Sequence, residues 1–237
     1  MGILSKLFGN STKNQPSAAP KPGTTTISAS QEEGFSEITT SDDAQAAGPV
    51  YTEHDSLLFL PVIRNFTDGD VFEQTIVNEK LGDDIAAFIA QVEVKPNGRT
   101  GIDYVLKSSL AASNMAEDEA LHRAMRNLKN AKLSIEGLTD PQTGDMMISV
   151  TSEIGLATCL LYDHHFIDKL QTDLETEQLH VTIIHSGSVY FTAANSSLEK
   201  DIEEMALENT HTDVLNIHSA TYLWINHTLQ LVKKYKN

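Results

Sequence analysis

Residues 9–50 read GNSTKNQPSAAPKPGTTTISASQEEGFSEITTSDDAQAAGPV, and across that stretch only Ile27, Phe35, Ile38 and Val50 are large and apolar. Fixing one residue's backbone costs about 1–2 kcal/mol. A segment this poor in apolar side chains cannot recover that by burial, so it is expected to be a disordered linker. It divides the chain into a short N-terminal piece (1–8), the linker (9–50) and a domain (51–237) that must supply whatever fold exists. In the first piece Ile3, Leu4, Leu7 and Phe8 would share one face of a two-turn helix. Two turns are marginal alone, so such a helix would form on a membrane surface or in a protein groove. The linker would let that anchor hold the domain at a reach on the order of 35 Å.

The chain as a whole has a globular composition, with 40% hydrophobic and 21% charged residues. The formal charge is −16, and positions 1–50 hold only 3 basic and 5 acidic residues. That leaves 14 basic and 28 acidic residues, a net −14, in residues 51–237. Such a surface repels nucleic acid and anionic lipid and favours a basic protein partner. One cysteine, Cys159, rules out an internal disulfide and any paired-cysteine metal or redox motif. No apolar run approaches the roughly 20 residues that span a bilayer, and the opening MGILSKLFGN lacks the apolar core and cleavage site of a secretory signal. The expectation is a cytoplasmic protein, with weak or no membrane contact through residues 1–8 and no cofactor.

Apolar runs at 56–65, 70–79, 84–94 and 155–162 read as strands, with the Ala-rich 84–94 also open to a helical reading, and KLSIEGL with DMMISVTSE reads as a hairpin about TDPQTG. LHVTIIHSGSVYFTAA and ATYLWINHTLQLVKK each read as two strands about a short turn. Residues 114–131 give the clearest helix. Asn114 is placed as its cap, Glu117, Asp118 and Glu119 at its positive end, and Leu121, Ala124, Met125 and Leu128 along its apolar stripe. A helix is expected to run from Asp163 to about Leu174. Another spans 197–209, with Ser196 and Glu199 as a capping box and Leu198, Ile202, Met205 and Ala206 as its inner face. Hairpins mixed with helices imply an α+β fold, mostly antiparallel sheet with two or three packed helices.

LLYDHHF, residues 160–166, carries the one pattern that looks like chemistry. Read as a metal-dependent hydrolase, Asp163, His164 and His165 would ligate a metal, but that needs further Asp and His ligands from an upstream His-x-Asp-x-Asp motif, and none occurs. Read as structure, Asp163 caps a helix whose stripe is Phe166, Ile167, Leu170 and Leu174. The structural reading is preferred. His180 and His185, five apart on one strand, should face opposite sides of it. His211, His218 and His227 show no ligand spacing. Cys159 lies in an apolar run where a thiol packs as a small hydrophobe. Nucleophile elbows and glycine-rich phosphate loops are absent from the sequence.

The order of LPVIRNF, ALHRAMRNLKNA, YDHHFIDKL, LHVTIIHSGSVYFTAA and ATYLWINHTLQLV resembles that in domain of unknown function 1444, the YtpQ-like bacterial proteins. The likeness covers most of 56–235. It implies an α+β cytoplasmic domain and supplies no catalytic residues; the long N-terminal extension and the Asp-His-His depart from that pattern.

What remains is the acidic surface. Glu117, Asp118 and Glu119 on one helix, with Glu199, Asp201, Glu203, Glu204 and Glu208 on another, are the candidate docking residues. The function expected is a non-catalytic cytoplasmic module that binds a basic protein, an immunity-type inhibitor of a basic toxin being one concrete form. A metal-dependent hydrolase and a membrane-tethered scaffold are the alternatives.

Overall fold

Strand β1 (Phe59–Asn65) is buried at every residue but Arg64, which is half-buried, so it needs cover on both faces. Around it lies the fold seen in a computed structural model, which describes residues 49–67, 69–97, 99–208, 215 and 217–235. The expected helix at residues 1–8, with Ile3, Leu4, Leu7 and Phe8, falls outside the described residues, as do the linker up to residue 48 and His211. After β1 come helix α1 (Val71–Thr75), β2 (Asn78–Lys80), β3 (Ile85–Val94) and β4 (Thr100–Tyr104). All pairings in this first sheet are antiparallel: β1 runs along one edge of β3, while β2 and β4 share the other.

Two helices follow, α2 (Lys107–Ala112) and α3 (Glu117–Arg126), and then β5 (Leu133–Thr139) and β6 (Met146–Ser152). A 3-10 turn over Ala157–Tyr162 leads into α4 (His164–Asp173), β7 (Leu179–His185), β8 (Ser188–Ala193), α5 (Glu199–Glu208), β9 (Ala220–Ile225) and β10 (Thr228–Lys234). These strands form a second antiparallel sheet in the order β10-β9-β7-β8-β6-β5. The architecture is α+β, with helices packed on antiparallel sheets.

One core joins the two sheets: Ile63, Ile85 and Ala87 of the first meet Val181, Phe191, Tyr222 and Trp224 of the second, with Leu160, Leu161 and Ile167 between them. A second cluster places Phe59 and Ile89 of the first sheet against Leu110, Ala120 and Ala124 of α2 and α3. A backbone bridge ties the sheets at one end, where Gly82 pairs with Leu229 and the Leu229 N–H donates to the Leu81 carbonyl at 2.6 Å. A Cβ on Gly82 would stand 2.1 Å from the Leu229 carbonyl oxygen, so that approach requires glycine.

Three expectations are corrected here. Residues 70–79 are not one strand: the Asp70 carboxylate accepts from the Phe72 N–H at 2.9 Å and starts a single helical turn. That turn sets Phe72 beneath the Arg64 guanidinium at 4.0 Å and edge-on to Phe88 and Tyr104. Residues 155–162 are not a strand either. All six residues of the Ala157–Tyr162 turn are buried, and an apolar run covered on all sides has no periodicity to betray its backbone. Finally, Asn114 does not cap α3. With φ +53° it terminates α2 in the left-handed region that Asn tolerates, and the Met115 N–H returns to the Leu110 carbonyl at 3.0 Å. The residue before α3 is Ala116, which offers no side-chain cap.

Candidate functional site

The segment LLYDHHF divides its side chains among three tasks. Asp163 caps α4, its Oδ1 accepting from the Phe166 N–H at 3.0 Å, and Ile167 and Leu170 are buried with Phe166 and Leu174 packed beside them. His165 is exposed. Tyr162 and His164 turn instead toward a cavity of about 250 Å³, whose other walls come from β2 and α3. Asp163, His164 and His165 therefore serve a cap, a cavity wall and the solvent respectively. Among the described residues no group of three or more His, Cys, Asp or Glu could hold a metal ion.

The cavity is built from elements distant in sequence. Tyr162, 6% exposed, donates its hydroxyl to Glu79 Oε2 of β2 at 2.7 Å, 83 positions away. Burial, and then Glu79, push the phenol's pKa upward, which keeps the proton on the tyrosine. α3 contributes Asp118 and His122 at the rim and Leu121 and Met125 as an apolar wall. The His164 ring lies 5.2 Å from Trp224 and 5.8 Å from His227. Its Nε2 is buried and has no hydrogen-bond partner, and burial holds its pKa below the ordinary imidazole value. Behind it Trp224 Nε1 donates to Asp168 Oδ1 at 3.0 Å, and the other oxygen of Asp168 faces His227 Nδ1 at 3.3 Å. The cavity thus presents two carboxylates, a protonated phenol and a neutral imidazole over an apolar wall. That set suits holding a cation better than it suits activating a nucleophile.

The acidic candidates do not form one strip. α3 packs on the first sheet, through Ala120 and Ala124 against Phe59 and Ile89. α5 lies on the outer face of the second, where His180 bonds to Glu199 while the neighbouring Leu179 and Val181 point into the core. Several of the carboxylates are committed within the chain. Glu119 pairs with Arg123 at 2.5 Å and Glu117 with Lys107 at 3.7 Å. Glu199 holds both His180 and the Asn195 N–H, Glu203 takes Lys233, and Glu204 faces Lys200 at 3.5 Å. The capping box expected from Ser196 and Glu199 is displaced: Ser196 Oγ accepts from the Leu198 N–H, and Glu199 reaches back to Asn195 rather than Ser196. Asp118, Asp201 and Glu208 are exposed and, among the described residues, pair with no cation.

His180 and His185 also go separate ways. The pairing of β7 slips between Ile183 and His185, so strand parity no longer relates the two rings; His180 meets Glu199, while His185 Nδ1 accepts from its own turn's Gly187 N–H at 3.1 Å. Cys159 is fully buried, and burial pushes its thiol to about 12. Sequence reasoning missed Glu79 altogether, because nothing in NEK distinguishes a carboxylate aimed at a tyrosine from one aimed at water.

No family model matches the chain, and neither a curated protein nor a solved structure matches it. The likeness to domain of unknown function 1444 stands as an expectation from motif order. No helix among the described residues is long and apolar enough to cross a membrane.

Proposed function

We propose that the chain is a non-catalytic, cytoplasmic protein-binding module for a basic partner, an immunity-type inhibitor of a basic toxin being its concrete form. Kinship with domain of unknown function 1444 belongs to the same proposal. The observation that carries it is the net −14 of residues 51–237, together with two helices that turn apolar residues inward and leave Asp118, Asp201 and Glu208 facing solvent. Exposed carboxylates that pair with no cation among the described residues raise the rate of encounter with a positive surface and orient it.

Affinity capture of the full-length protein from its own cells, at low and at high salt, tests the reading. It expects one stoichiometric partner with a basic surface, retained at low salt and released at high salt because charge attraction between exposed groups is screened. A partner that is acidic, or one whose retention ignores salt, contradicts it.

A further inference from the structure

We propose that the cavity between β2, α3 and the start of α4 is an anchor pocket for one arginine side chain of the protein partner. This deepens the preceding proposal and rests on it for the partner's existence, but the pocket has its own chemistry. Glu79 and Asp118, from two different elements, line it, and among the described residues no Lys or Arg pairs with either. Glu79 is held in place by the Tyr162 hydroxyl at 2.7 Å, so its carboxylate is oriented before any ligand arrives and loses little freedom on binding. The rim residues Glu79, Asp118 and His122 are exposed, while Leu121 and Met125 are half-buried. A side chain with a charged head and an apolar stem matches that gradient.

The pocket's titratable groups are Glu79, Asp118, His122, Tyr162 and His164, with Asp168 and His227 behind His164. Two carboxylates bring negative charge to the lining. Arginine fits better than lysine. Its guanidinium is planar and weakly hydrated, stacks on aromatic faces and presents several donors to separate acceptors, whereas an ammonium is a compact, strongly hydrated point charge. A cavity of about 250 Å³ accommodates one such side chain.

The test uses the full-length protein and the tripeptide acetyl-Gly-Arg-Gly-amide, followed by NMR on the His122 and His164 rings and the Met125 methyl. Its citrulline counterpart, which keeps the shape and removes the charge, is the control. Saturable shifts at those three residues are expected. The citrulline peptide should bind at least about tenfold more weakly, as should the arginine peptide with the Glu79→Gln or Asp118→Asn protein, a loss of about 1.4 kcal/mol. The amide oxygen that Glu79→Gln introduces would still accept the Tyr162 hydroxyl, so neither variant removes a fold-bearing contact. Equal shifts with both peptides, shifts centred elsewhere, or none at all overturn the pocket. If the peptide fails while salt-sensitive capture of a basic partner succeeds, the arginine anchor is wrong and the wider proposal stands; if capture fails while the peptide binds, the pocket takes arginine but the partner, and with it the anchor role, falls.

Discussion

Asp163 is the residue on which two accounts of LLYDHHF diverge, and its side-chain hydrogen bond from the Phe166 N–H decides what its loss should do. As a helix cap it contributes about 1 kcal/mol. Asp163→Ala should therefore lower the free energy of unfolding in urea by about that amount, while Asp163→Asn, which keeps an acceptor oxygen, should lower it by only a fraction. Equal losses in the two variants would remove the cap from the explanation. His164 yields a prediction in pH. Burial holds His164 and His218 below the ordinary imidazole value of about 6.5. As pH falls through that value the unfolded chain binds more protons than the folded one, so stability present above it is progressively lost. The urea midpoint should drop between pH of about 7.5 and about 5.5, a window above the ordinary carboxylate range. His164→Phe, which keeps a ring against Trp224, should show a smaller drop; an unchanged drop would mean that His164 titrates alike in both states. At this scale the cap was legible because Asp followed by an apolar stripe is a local signal. The bond from Tyr162 to Glu79 was not, since it joins positions 83 apart.

Elements whose signals are local survive from sequence to structure. The hairpins β5–β6, β7–β8 and β9–β10 were all readable, the last because Asn226 and His227 both adopt positive φ, 49° and 61°, in its two-residue turn. Elements fixed by their surroundings were not. Within the apolar run at 155–162, Ala157–Tyr162 form a 3-10 turn packed between the two sheets, with all six residues buried. Residues 70–79 break because Asp70 finds a backbone donor two residues on. Asn114 carried the right residue type for a cap and took the opposite role, closing α2 instead of opening α3. The bridge between Gly82 and Leu229 is the element-scale contact most exposed to one substitution. Gly82→Ala places a methyl 2.1 Å from a backbone oxygen, and such overpacking costs about 1–3 kcal/mol. Chemical denaturation should show that loss; a variant as stable as the parent would mean that the two segments separate freely.

Over the whole molecule the fold class was legible and the distribution of charge was not. The sequence contained two acidic runs and offered no way to see that α3 and α5 pack on different sheets. Nor could it show that Glu119, Glu199 and Glu203 are spent on Arg123, His180 and Lys233. The central claim is that the carboxylates left over, Asp118, Asp201 and Glu208, engage a basic protein. Its most direct test is an equilibrium titration of the captured partner, once purified, into the full-length protein and into its Asp118→Asn/Asp201→Asn/Glu208→Gln variant. The account predicts that the triple variant, folded as stably as the parent, binds at least about tenfold more weakly at low salt, and that high salt brings the two together. Equal affinity of parent and variant at low salt would contradict it.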